Sequence, residues 1–270
     1  SKQAGRLPGL FGNGGESVDI IIGGALGRMG RELARAAGEA GVGVACGVDI
    51  AYENQAMDFP MVKAYTDIAV HADVLVDFSR ADGLPALLDF ALHAHLPCVL
   101  CTTGYTDAEV ASIRDASAQV ALFRSANMSL GINVLQTLCA MAAKALGDRF
   151  DVEIVEKHHR QKMDSPSGTA LMLYESVCGA LGGEHPVANG RVGRNAKRNA
   201  GEVGIHAVRG GTVTGEHEVG FYGSAEQIIL THRAENRGLF AEGAVRAAQF
   251  LAGKPAGLYT MQDVVAEVLG

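Results

Sequence analysis

Residues 17–41 read SVDIIIGGALGRMGRELARAAGEAG, and this stretch decides the fold. Val18 to Ile22 is short, apolar and β-branched, the composition of a strand covered on both faces of a parallel sheet. A run with helical spacing follows through Leu33, Ala36 and Ala37. Between the two stands Gly24-x-x-Gly27-x-x-Gly30. Glycines there let a pyrophosphate approach the backbone N–H groups of a helix N-terminus, where a Cβ would obstruct it. Ala25 and Leu26 displace the usual middle glycine of G-x-G-x-x-G, and such glycines also serve plain tight turns. The setting favours the nucleotide: the next strand, VGVACGVD, ends in Asp49, an acid suited to ribose hydroxyls. A carboxylate at that place repels a 2′-phosphate and favours NADH over NADPH, while Arg28 is available to a phosphate and keeps NADPH open.

Outward from this stretch the alternation continues. DVLVDFS (73–79) and LPCVLCTTG (96–104) are further buried-strand runs, with the helically spaced ADGLPALLDFALHAH between them. TDAEVASIRDASAQ (106–119) opens with Thr106 and Glu109 in capping-box register, and VALFRSANMSLG (120–131) returns to strand and then loop. The pattern predicts a Rossmann-like doubly wound parallel sheet with its site loops at the strand C-terminal ends. The pattern then changes. Residues 132–147 read as one helix whose Leu135, Leu138 and Met141 face a core, and 150–159 partly alternates. GTALMLYESVCGALGG is a helix ended by Gly182 and Gly183. Three strand-like runs over 203–233, separated by glycines, predict a mostly antiparallel sheet in a second, α+β domain. Helices over 240–253 and after Thr260 pack back onto the first domain.

Composition sets limits on this. The chain has 270 residues, 48% of them hydrophobic, enough for one large domain or two modest ones. A formal net charge of −7 argues against a general nucleic-acid binder but permits a local cationic pocket. No unbroken apolar run approaches the ~18 residues of a membrane span, so no membrane partner is expected. Cys98-x-x-Cys101 lies inside an apolar run without a second Cys or His pair, so the five cysteines read as reduced thiols of a cytoplasmic protein rather than a zinc or redox site. The glycine-rich residues 1–16 read as a flexible tail.

The densest chemistry is EKHHRQKMDSPSGTA (156–170). His158, His159, Arg160 and Lys162 converge only if the strand ends at the histidines. Ser165 or Ser167 then caps a helix, and Gly168 and Thr169 offer free N–H groups to an anion. Cations beside a helix N-terminus make a carboxylate or phosphate receptor, and a histidine there can donate a proton near neutral pH. A solvated polar loop is the plainer reading, and adjacent histidines lack the spacing of a helical zinc pair. No metal is expected.

These residues resemble the signature of the dihydrodipicolinate reductase family, together with GALGRMGREL, VDFSRADG, TTGYTDAE, SANMSLGINVL, GEHEVGF, THRAENRGLFAEGAVRAA and GLYTMQDV. The resemblance covers nearly everything after residue 17. It implies reduction of 4-hydroxy-tetrahydrodipicolinate to tetrahydrodipicolinate by NADH or NADPH with release of water, in lysine and diaminopimelate biosynthesis. It further implies a dinucleotide-binding domain from 17–130 together with 239–270, and a substrate-binding and oligomerisation domain over 131–238 that builds a homotetramer. His158 matches the family's proton donor or acceptor and Lys162 its second proton donor. His159, Gly168 and Thr169 match the site for a small dicarboxylate substrate. The nucleotide positions carried over are Gly24, Ala25, Leu26, Gly27, Arg28, Met29, Asp49, Cys101, Thr102, Thr103, Ser125, Ala126, Asn127 and Met128. Two departures stand out: Cys101 replaces the first glycine of Gly-Thr-Thr-Gly, and Met128 stands where phenylalanine is common, predicting a looser nicotinamide contact. Another two-domain nicotinamide dehydrogenase shares the glycine loop without needing the His-His-Lys segment, and a nucleotide-sensing regulator needs no proton donor beside an anion pocket.

Overall fold

The computed structural model describes residues 17–269, so the expected tail over 1–16 lies outside the described residues. Seven strands form a wholly parallel sheet: β1 (Asp19–Gly23), β2 (Gly43–Val48), β3 (Met61–Val62), β4 (Val74–Asp77), β5 (Cys98–Leu100), β6 (Ala121–Arg124) and, near the C-terminus, β12 (Gly257–Tyr259). Their spatial order is β12-β6-β5-β4-β1-β2-β3. The reversal between β1 and β4 is the switch point at which such sheets bind ligands.

Strand alternation explains why the sheet needs helices on both sides. Ile20 and Ile22 face one core with α1 (Arg28–Ala40) and α6 (Gly238–Leu251), while Ile21 faces another with α2 (Leu84–Ala94) and α3 (Asp107–Ser117). The Thr106–Glu109 capping box forms at the start of α3 as the spacing predicts. After β6 the chain enters α4 (Leu130–Leu146), and α6, β12 and α7 (Met261–Leu269) return to the parallel sheet and its flanks.

The second sheet contains β7 (Asp151–His158), β8 (Val187–Ala188), β9 (Val203–Arg209), β10 (Gly215–Tyr222) and β11 (Gln227–Ala234) in the order β11-β10-β7-β9-β8. Its core lies under α4 and α5 (Gly168–Leu181). The sheet is mixed. β10 pairs antiparallel with both β7 and β11, but β9 runs parallel to β7 and to β8. The run 203–209 therefore does not form a hairpin with β10, because β7 lies between them. Gly210 and Gly211 instead fold over the end of β7, where Gly210 N–H donates to the His158 carbonyl at 3.0 Å and Arg160 N–H donates to the Gly211 carbonyl at 3.3 Å.

Helix α4 departs from expectation in two ways. Leu135 faces the core, but Leu138 and Met141 are 44% and 62% exposed, because Ile132, Leu135, Cys139 and Ala143 supply the buried stripe. Leu130–Arg149 is also long and apolar enough to cross a membrane by length and composition, with mean hydropathy 1.3, although no unbroken apolar run announces it. Its buried stripe packs against the second sheet's core, and its flank meets α5, β11 and α7.

Candidate active site

The nucleotide side begins where β1 ends. Gly24 turns the chain with φ +71°, and its amide donates to the Val48 carbonyl. A Cβ on Gly30 would lie 2.2 Å from the Gly24 carbonyl oxygen, so helix and strand approach this closely only with glycine there. Gly27 starts α1 without any side-chain cap, leaving its first-turn amides to an anion. Asp49 closes the turn: one carboxylate oxygen accepts from Leu26 N–H at 3.0 Å, the other from Ala51 N–H at 2.9 Å. Arg28 is exposed, Met29 half-buried, and Ala25 is fully within the core. This uncapped turn, with glycine at 24, 27 and 30 beside an acid, fits a dinucleotide.

Two further loops reach the same sheet edge. Buried Asp77, at the end of β4, accepts from Thr102 Oγ1 at 2.7 Å, from Tyr65 OH at 3.2 Å and from Ser79 N–H at 3.2 Å, fixing the 101–103 loop. Burial, and then Asp77, push the Cys101 thiol well above its ordinary range, so it stays protonated. Thr103 is exposed on this loop. In the 125–128 loop, Ser125 Oγ donates to the Asn127 carbonyl and Ala126 is exposed. Met128 is buried in the parallel sheet's core, so the site gains only its backbone from that position.

Asn127 crosses to the other half: its Nδ2 donates to Thr169 Oγ1 at 3.0 Å. Thr169 sits in the first turn of α5. Of the two serines left open by the sequence, Ser167 is the cap, its Oγ accepting from Ala170 N–H at 3.2 Å. That bond leaves the amides of Gly168 and Thr169 outside the helix ladder. Asp164 turns its carboxylate towards the Gly168 amide and pairs with Lys162 Nζ at 2.9 Å; the Lys162 bond is the largest cause holding that carboxyl below its usual range.

Behind the helix start, β7 has a buried row of alternate residues: Val152, Ile154, Glu156 and His158. The row turns polar where α5 begins. His158 Nδ1 lies 2.6 Å from Glu156 Oε2, and the His158 ring meets His217 edge-on with centroids 5.1 Å apart. His217 Nε2 lies 3.2 Å from Ser167 Oγ. Burial lowers the His158 pKa, with Glu156 only partly opposing it. Burial, followed by the His158 charge, lowers His217 to about 4, so that ring is neutral at physiological pH. His159 does not join this cluster. The strand ends at His158, and His159 lines a surface cavity of about 440 Å³ with Arg160, Gln161, Gly211 and Thr212.

Sequence reading missed Glu156, Arg209, whose Nη1 and Nη2 each donate to the Glu156 carboxylate at 2.7 Å, Ser167 as the settled cap, His217 and Asp77. Only Glu156 carried a local signal, its two-residue spacing from His158 along a strand.

Comparison with known proteins agrees along the chain. The family model "Dihydrodipicolinate reductase, N-terminus" matches residues 18–128, and "Dihydrodipicolinate reductase, C-terminus" matches 131–265. A protein of Caldanaerobacter subterraneus subsp. tengcongensis named 4-hydroxy-tetrahydrodipicolinate reductase is 44% identical over 249 residues, covering 92% of this chain and 98% of the relative. One of the same name from Clostridium novyi is 41% identical over 247 residues, covering 91% and 97%. The solved dipicolinate-bound dihydrodipicolinate reductase of Paenisporosarcina sp. TG-14 superposes with a TM-score of 0.72 at 19% identity over 91% of this chain and 98% of that one. A probable dehydrogenase of Thermotoga maritima shares the fold at a TM-score of 0.57 and 13% identity, covering 93% of each chain.

Proposed function

The chain belongs to the dihydrodipicolinate reductase family, and from that premise we propose that it reduces 4-hydroxy-tetrahydrodipicolinate to tetrahydrodipicolinate with release of water, using a nicotinamide cofactor, in diaminopimelate and lysine biosynthesis. The observation that carries this reading is the Asn127–Thr169 hydrogen bond. It joins the loop after a parallel-sheet strand to the helix start suited to a carboxylate, so nucleotide and anion sites are neighbours.

The nucleotide half comprises 17–130 with 239–270, and the substrate half 131–238. Gly24 to Met29, Asp49, Cys101 to Thr103 and Ser125 to Met128 hold NADH or NADPH, which supplies the hydride. Asp49 tilts the choice towards NADH, since its carboxylate repels a 2′-phosphate. The substrate's two carboxylates explain a cationic pocket in an acidic chain. The Gly168 and Thr169 amides and His159 bind them. Lys162 leaves Asp164 to donate one proton, and His158 handles the other. Charge that develops on the ring during reduction is met by Lys162 and the α5 amides rather than by a metal. The exposed Leu138 and Met141, with Ile228 and Ile229 on the edge strand β11, support assembly into a homotetramer.

The test is absorbance at the nicotinamide band. Consumption of NADH with freshly generated 4-hydroxy-tetrahydrodipicolinate is expected. Binding of NADH without consumption favours a nucleotide sensor and overturns the reading.

A further inference from the structure

We propose that Glu156, clamped by Arg209, is a positioning residue: it fixes His158 as the tautomer with its proton on Nδ1 and ties that ring to the α5 N-terminus. This rests on the reductase reading above and assigns a role to two residues outside the expected site.

The bonding of one carboxylate carries the inference. Glu156 is fully buried. Its Oε2 accepts from Arg209 Nη1 at 2.7 Å and faces His158 Nδ1 at 2.6 Å. Its Oε1 accepts from Arg209 Nη2 at 2.7 Å and from Ser167 N–H at 3.0 Å. A carboxylate offers about four lone-pair positions, and here all are taken. With nothing left to donate, it requires that His158 Nδ1 carry the hydrogen. Nε2 is then the nitrogen that takes up or gives a proton.

The surroundings keep Nε2 usable. It makes no hydrogen bond to another described residue, and a Cβ on Gly215 of β10 would come within 3.1 Å of it. The charged and titratable groups facing the ring are Glu156 on its own strand, Arg209 from β9, His217 from β10 and Lys162 from the following loop. Arg209 balances the Glu156 charge, so the ring is oriented without being held permanently protonated. Burial pushes the Glu156 carboxyl up, but the Arg209 fork, His158 and the Ser167 amide outweigh it and keep the group ionised. Arg209 also donates to the Asp164 carbonyl at 2.9 Å, extending the frame to the Lys162 loop. The proton-handling nitrogen and the anion-receiving amides of Gly168 and Thr169 are thus held by one ion pair.

The experiment uses the full chain with 15N-labelled histidine and assigns His158 by difference against His158→Gln. At pH 8 the wild-type ring is expected to be neutral and protonated on Nδ1. In Glu156→Gln that preference is lost, kcat falls roughly 10²-fold, the acid limb of the kcat profile moves to lower pH, and KM for NADH stays within about twofold. Arg209→Lys keeps the charge but loses the fork, and shows the same changes at smaller size. A wild-type ring protonated on Nε2 overturns the proposal. So does a Glu156→Gln enzyme that keeps tautomer, profile and kcat. If Glu156→Gln does not fold, the wild-type spectrum and Arg209→Lys decide by the same criteria. A wild-type protein that consumes no NADH sinks the reductase reading instead, while the nitrogen spectrum still locates the proton.

Discussion

Strand β7 carries two glutamates in ion-pair clusters on opposite faces, and the contrast separates what holds this fold together from what makes it act. Glu153, on the outer face, is bound by Arg191, Arg198 and His206, and Arg191 reaches on to Glu202. These contacts lash the 189–202 segment to the sheet. Glu156, on the inner face, is bound by Arg209, His158 and the Ser167 amide. Both carboxyls lie below their ordinary pKa, because bonds to cations outweigh the burial that pushes each of them up. Only the inner cluster adjoins a helix start, whose Gly168 and Thr169 amides lie outside the helix ladder. The same ion-pair chemistry serves anchorage on one face and alignment on the other, and the difference lies in what the partners touch next.

The largest effect that can break this comparison is on the inner side. Lys162→Ala is expected to lose roughly 10²–10⁴-fold in kcat while the Kd for NADH, measured by fluorescence titration, is unchanged. If nucleotide affinity falls in parallel, Lys162 belongs to the nucleotide site and the assignment of proton transfer to this face is wrong.

Acid sensitivity comes next. The folded His217 ring titrates near 4, against about 6.5 in an unfolded chain. Between those values the unfolded chain binds more protons. The contribution to stability is therefore complete above pH ~6.5 and is lost as the pH falls towards 4, by up to roughly 3 kcal/mol. Urea denaturation at stepped pH checks this, and His217→Gln should flatten the slope between pH 6.5 and 4. On the outer face, Glu153→Gln is expected to cost about 1–3 kcal/mol of stability at neutral pH with kcat and KM unchanged. Its depressed folded pKa places that stability above the unfolded value of about 4.3 and removes it as pH falls further, so the variant is also less acid-sensitive below that point. A drop in kcat measured well below the melting temperature would erase the distinction between the two faces.

The sequence was most legible where the determinants are local. β-branched runs such as Ile20–Ile22, the Gly24–Gly30 spacing and the Thr106–Glu109 box each act within one or two elements, and the parallel sheet follows from them. The capped helix start at Ser167 was half visible, with two serines in contention. Pairing was not local. The direction of β9 depends on β7 occupying the place beside β10, which no turn residue announces. Arg209 carries no local signal, because its partner Glu156 lies 53 residues earlier in the chain. Leu138 and Met141 carry the spacing of a buried stripe yet lie exposed, since helical spacing identifies an apolar face but not what covers it. His158 and His159 are adjacent in sequence but differ in setting, one buried beside Glu156 and His217 and the other lining a surface cavity, because the strand ends between them.

The smallest expected effect concerns Asp164, which stands between the two kinds of cluster. Its carboxylate is largely exposed, pairs with Lys162 Nζ and is turned to the Gly168 amide, the same two donors assigned to the substrate. Arg209 holds only its backbone carbonyl, so the loop keeps its anchor when the side chain changes. Asp164→Asn preserves size and removes the competing charge. An exposed pair of this kind contributes about 0.2–1 kcal/mol, equivalent to a change of up to about fivefold in a binding constant. KM for the dicarboxylate should therefore fall about two- to threefold with kcat nearly constant, read from initial rates across substrate concentration. A rise in KM instead would mean that Asp164 orients Lys162 for the substrate rather than occupying its place, and would move this residue from competitor to part of the aligning frame built on Arg209 and Glu156.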